Sequence, residues 1–186
     1  HKPDVLRAEV ARMIRDQRSW QFMEQFADQW LDVGAVDRVA VNPEYYPKFD
    51  NELKPSMRGE TIHFFAELAY KNLSALNILD SDFTMLNEPM ARHYGVTGVY
   101  GQGFREVALK EEGRGGLLGH SSVLMLGSTG RDSHPIRRAV WIRDRLLNDP
   151  PSPPPADVPD LDESNPEFAK LSVREQLEVH RNKESC

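Results

Sequence analysis

The sequence predicts a mainly α protein: an irregular multi-helix bundle with a glycine-rich loop region, at most a minor strand pair, and a proline-rich C-terminal extension. Three observations carry that expectation. Apolar residues recur at helical spacing in several separate stretches. Ten of the 12 glycines fall between Gly95 and Gly130. Seven of the 13 prolines fall in 150–166, where PPSPPP imposes extended chain that can join neither helix nor sheet.

In chain order, Asp4 is expected to cap a first helix with Leu6, Val10, Met13 and Ile14 on one face. After a break near Asp16–Ser19, Phe22, Met23, Phe26, Ala27, Trp30 and Leu31 form the stripe of a core-facing helix, closed by Gly34 as its cap. Pro43 and Pro47 mark 35–50 as an irregular connection. A third helix is expected from about Pro55 to Asn72, burying Met57, Phe64, Phe65 and Leu68. Ser74–Leu79 adds a turn or two. Asp82 or Thr84 begins the approach to a short helix capped by Asn87, with Pro89 in its first turn and Gly95 at its end. Phe104–Lys110 is the one candidate strand, and Leu117–Leu126 reads as an apolar helix or buried segment. After a turn at Ser128–Ser133, Pro135 opens a helix to about Asn148. Its apolar arc of Ile136, Ala139, Val140, Ile142, Leu146 and Leu147 contains Arg143, which calls for a buried or half-buried carboxylate partner. A last amphipathic helix spans roughly Ser172–Asn182.

A length of 186 residues suits one domain, or one domain and a tail. The net charge of −6 argues against a nucleic-acid partner, which needs a clustered basic excess. No run approaches the ~20 apolar residues of a membrane span, and the opening HKPDVLRAEV has no signal-peptide core. A start on His1 suggests a piece of something longer. Cys186 is the single cysteine, which excludes an internal disulfide or a cysteine-based zinc site; no metal site is expected.

The catalytic templates fail on named residues, so whether the protein is an enzyme stays open. Gly119-His120-Ser121 begins like a nucleophile elbow, but Val123 stands where glycine is needed and no strand precedes it. Gly101-Gln102-Gly103 and Gly113-Arg114-Gly115 lack the third glycine of a dinucleotide loop. Glu60, His63 and Glu67 share one helix face, but with no matching ligands elsewhere they read as a solvated face. His93, His120 and His134 each fit a capping or packing role, with axial ligation of a metal or haem as the alternative. Arg137, Trp141 and Arg145 stack at i, i+4, i+8. They form either a platform for the following prolines or a binding surface, and Tyr45 and Tyr46 with Trp141 could hold a carbohydrate.

Four segments carry a resemblance: VARMIRDQRSWQFMEQFADQWLDV (10–33), DFTMLNEPMARHYGV (82–96), the stretch from Arg114 to Glu163, and LSVREQLEVHRNKESC (171–186). Together they resemble the planctomycete-type multidomain c-type cytochrome proteins. The resemblance implies a planctomycete-specific helical domain of unknown function over 1–103. It implies the N-terminal part of a planctomycete cytochrome C domain over 113–186, with 150–166 as a proline-rich linker. In that family the H-R-x-x-x-x-C run continues into a covalent haem motif. Cys186 would then be the first thioether cysteine for haem c in the full-length parent, while this stretch alone could not hold haem. The departures are Leu126-Gly127-Ser128-Thr129-Gly130 at the usual Thr–Ser turn, and Ser133-His134-Pro135 at the usual Ser–Pro. The implied role is scaffold for electron-transfer chemistry in an exported, periplasmic or cell-surface protein. Its partners would be the parent's other domains and a redox protein, with no nucleic acid and no membrane span. The rival expectations are a non-redox carbohydrate- or protein-binding module, or part of a haem-dependent oxidative enzyme acting on polysaccharide.

Overall fold

The computed structural model describes residues 2–109, 114–152 and 170–181. They fall into two compact units, one ending at Ser133 and one beginning at His134. The fold is mainly helical, with one two-stranded antiparallel sheet.

The first unit is organised around α3 (Leu53–Tyr70), which packs on α2 (Ser19–Leu31), a 3-10 turn (Val33–Arg38), β1 (Phe83–Leu86), α4 (Glu88–Tyr94) and α5 (Ser121–Leu126). Because neighbours surround it, α3 buries residues on every side, among them Met57, Glu60, Thr61, Ile62, Phe64 and Leu68. Even Lys54 is buried. Its ammonium donates to the carbonyl oxygens of Val39 (2.8 Å) and Asp37 (3.4 Å), where the 3-10 turn leaves carbonyls without partners.

The strand β1 pairs with β2 (Arg105–Ala108), Phe83 opposite Ala108 and Leu86 opposite Arg105. Both faces of β1 are buried, so alternation sends Phe83 and Met85 into one core with Phe64 and Leu68. Leu86 joins a second core with Val36, Met57, Met90, Ala91 and Val99. From the sequence, Asp82 or Thr84 begins the approach to a helix, and the structure places a strand there instead. A strand covered on both faces lacks the polar–apolar alternation that marks a half-exposed one. The short helix α4 forms as expected, with Asn87 Oδ1 accepting from the Met90 N–H (3.1 Å) and Gly95 closing it at φ 71°.

Several local expectations are corrected. The first helix, α1 (Pro3–Arg15), has Lys2 at its cap position and Pro3 in its first turn, so Asp4 lies inside the helix. No residue of α1 is buried. The stripe on α2 splits: Met23, Ala27 and Leu31 are buried, whereas Phe22 and Phe26 are exposed and Trp30 is half-buried. Those three rings form a row with Phe65, and Phe26 stacks on Phe65 at 5.3 Å. Asp32, not Gly34, takes the left-handed conformation that ends α2 (φ 54°). Leu117–Leu126 is a 3-10 turn (Leu117–Gly119) followed by α5.

In the second unit, α6 (Pro135–Arg145) buries none of its apolar arc. Arg143 finds its carboxylate in Asp149 at 2.7 Å, but both side chains are exposed, so the partner is neither buried nor half-buried. An exposed pair of this kind contributes little. Arg143→Ala is expected to change unfolding stability by less than about 0.5 kcal/mol in a urea titration. The helix α7 (Val173–Arg181) starts on a reciprocal cap: Ser172 N–H and Oγ donate to Glu175 Oε2 (2.7 and 2.6 Å), and Glu175 N–H donates back to Ser172 Oγ (3.3 Å). Most of the proline-rich extension and Cys186 lie outside the described residues.

Candidate functional site

The chemistry-bearing side chains of the first unit converge on one buried cluster that the sequence reading did not assemble. Glu60 is its centre. On α3 it falls between Met57 and Phe64, at i+3 and i+4 spacing, which points it at the core and not at solvent. Only 1% of its surface is exposed, so the solvated face expected for Glu60, His63 and Glu67 is corrected at its first member. His63 lies between the rings of Trp20 (4.5 Å) and Phe104 (4.3 Å), and Glu67 pairs with Lys71 at 2.6 Å.

Three separate segments donate to the Glu60 carboxyl. Thr84 on β1 donates to Oε1 (3.0 Å), Tyr94 on α4 donates its hydroxyl to Oε2 (2.7 Å), and the Ser121 N–H reaches the same oxygen at 3.2 Å. The Tyr94 hydroxyl oxygen in turn accepts from Ser121 N–H (3.0 Å) and Ser121 Oγ (2.8 Å). The Arg114 guanidinium lies over the Tyr94 ring at 4.1 Å. Beside this, Thr61 Oγ1 is 3.0 Å from His120 Nδ1 and 2.6 Å from Ser122 Oγ. The His120 ring meets Phe64 edge-on at 4.9 Å, and among the described residues its buried Nε2 has no hydrogen-bond partner.

Burial sets the proton equilibria here. It pushes the Glu60 carboxyl up to about 7, against the opposing pull of its donors and of Arg114. It raises the Tyr94 hydroxyl, and the Glu60 charge adds to that. Burial also drives the His120 imidazole down to about 3, helped by Arg114. At neutral pH, therefore, His120 is uncharged and Glu60 is near the midpoint of its titration.

The Ser121 hydroxyl donates to Tyr94, and no described hydrogen bond joins it to His120. Every hydrogen-bonding member of the cluster is buried or half-buried, and the exposed Arg114 lies over Tyr94. The arrangement holds four segments together through exchangeable protons; it does not present a nucleophile to solvent.

His93 adjoins the cluster, its ring 5.5 Å from that of Tyr94. His93 is exposed at the end of α4 with its pKa lowered, first by partial burial and then by Arg114. His134 caps α6, its Nδ1 accepting from the Arg137 N–H at 3.3 Å. An axial-ligand role for His120 would require its sealed Nε2 to come out of the core. Among the described residues, no three His, Cys, Asp or Glu side chains converge as a metal site. Arg137, Trp141 and Arg145 share one face of α6. Tyr45 and Tyr46 are half-exposed neighbours; Arg131 covers the Tyr45 ring at 4.5 Å, and the Tyr46 hydroxyl donates to the Arg131 carbonyl (2.6 Å). No helix among the described residues is long and apolar enough to cross a membrane.

Two protein-family profiles match the chain: PSD4, a protein of unknown function (DUF1592), over residues 1–96, and PSCyt3, a protein of unknown function (DUF1588), over 114–186. No curated protein and no solved structure matches it. The packing does not follow those limits, because residues 114–133 of the second match complete the core of the first unit. With just over half its length under the PSD4 profile and the remainder running into PSCyt3, the chain belongs to the PSD4 family and joins two planctomycete-specific, cytochrome-associated domains in that order.

Proposed function

We propose that the chain is the helical scaffold of an exported multidomain c-type cytochrome and leads into a haem module that begins at Cys186. The observation that carries this reading is the order of the two family matches, the second of them cytochrome-associated. Cys186 would supply one thioether bond, and the haem would supply one-electron chemistry. His93, exposed, and His134, half-buried, are candidates for an axial role, and Arg137, Trp141 and Arg145 for a surface that meets a redox partner. A covalently attached haem would place the parent protein in the periplasm or at the cell surface.

The parent chain carried past Cys186 and produced with haem-maturation machinery should show a Soret band and retain haem after denaturation. Cys186→Ala should leave a single thioether, read as a red shift of the reduced haemochrome band. A colourless wild-type product would overturn the reading.

The half-exposed Tyr45–Tyr46 pair favours a second reading, carbohydrate binding. Polysaccharide retention that persists in a Tyr45→Ala, Tyr46→Ala double variant would remove those rings from that role.

A further inference from the structure

Residues 114–133 lie along α3 as a strap, and two ionisable groups are sealed beneath or within it. Glu60 belongs to α3, and its carboxyl receives the strap's Ser121 N–H. His120 belongs to the strap, and its ring sits against Phe64 and Thr61 of α3. Both are almost fully buried, and no described ion pair joins either to an opposite charge. The groups around them can be named element by element. Helix α4 offers Tyr94 and, beyond it, the exposed His93. Strand β1 offers only the Thr84 hydroxyl. The strap offers Arg114, whose cation lies over Tyr94 and acts on Glu60, His93 and His120 alike. The strap is further seated by Leu117 and Val123, both buried, and by Met125 and Leu126 against the Val36, Met57, Leu86 and Met90 core.

We propose that seating of this strap on α3 is a charge-cancelling step, in which Glu60 takes up a proton as His120 gives one up, so that a carboxylate and an imidazolium in the open form become two neutral groups in the closed form. Burying either charge without a contact partner is costly, and two neutral groups avoid that cost. The proton balance is even: one proton leaves the imidazole and one joins the carboxyl, through solvent. The signs follow from linkage. Glu60, raised from 4.5 to about 7, favours the closed strap most below pH 4.5 and loses that contribution as pH rises to 7. His120, lowered from 6.5 to about 3, favours the closed strap most above pH 6.5 and loses that contribution as pH falls to 3. Between pH 4.5 and 6.5 the two slopes cancel. The inference is independent of haem binding.

Amide hydrogen exchange over residues 117–126 of the full chain, corrected for the intrinsic pH dependence of exchange, tests it. Wild type should show a pH-independent opening constant from pH 4.5 to 6.5. In Glu60→Gln, opening should increase about tenfold for each unit that pH falls in that window. In His120→Asn, which keeps an acceptor for Thr61, opening should increase about tenfold for each unit that pH rises. Equal slopes in the two variants, a sloped wild type, or the same change in every amide of the first unit would overturn the proposal. If a variant does not fold, infrared spectra of wild type labelled with ¹³C-glutamate decide the matter. A labelled protonated carboxyl band persisting at pH 6 supports it, and only carboxylate bands overturn it.

Discussion

Glu60→Ala should lower the unfolding free energy of the first unit by about 3–5 kcal/mol, among the largest effects of any single substitution in the chain. Truncation leaves the Thr84 hydroxyl and the Tyr94 hydroxyl without their acceptor, and weakens the bond that fixes the start of α5 at Ser121. It also opens a cavity between α3, β1 and α4, since the wild-type side chain is 1% exposed. Glu60→Gln preserves the volume and one acceptor oxygen, and should cost only about 1–2 kcal/mol. Urea unfolding at pH 6 measures both, and the m-value should be unchanged if the native fold survives. Equal midpoints for the two variants would mean that the hydrogen bonding of the carboxyl, and not packing, is what Glu60 contributes.

Gly130→Ala should be comparably damaging, by at least about 3 kcal/mol. Gly130 sits at φ 84°, where an L side chain is strained, and a β-carbon there would collide with the Ala40 carbonyl oxygen. The backbone cannot easily move away, because the Gly130 carbonyl accepts from the Asn42 N–H (2.9 Å) and the Ser128–Ser133 bridge closes the turn. Gly98 is the control. Its φ is 86°, yet nothing lies within 4 Å of a β-carbon built there, so Gly98→Ala should show the conformational cost alone, about 1 kcal/mol. Thermal unfolding of the two variants separates strain from collision. If Gly98→Ala falls as far as Gly130→Ala, the close approach at Ala40 is not the cause.

The two effects share an origin. Each lies on a contact between residues 114–133 and the first hundred residues, Glu60 with Ser121 and Ala40 with Gly130. A chain cut at the limit of the first family match would lose both.

What the sequence determined by itself was local. Proline and glycine placement and side-chain capping fix α4 between Asn87 and Gly95, and Pro135 opens α6, because these depend on neighbours within a few residues. The resemblance to cytochrome-associated proteins was likewise legible, since it rests on ordered motifs. The tertiary structure alone decided which apolar faces are covered. Phe22 and Phe26 have the periodicity of core residues and lie outside, while β1 shows no alternation because both its faces meet apolar neighbours. It also decided the meaning of Glu60. Beside Met57 and Phe64 the acid was a visible anomaly in an apolar stripe, but its donors come from residues 24, 34 and 61 positions further along. Helical spacing says which way a side chain points. Only the packed chain says what it meets there, and whether burial leaves it charged.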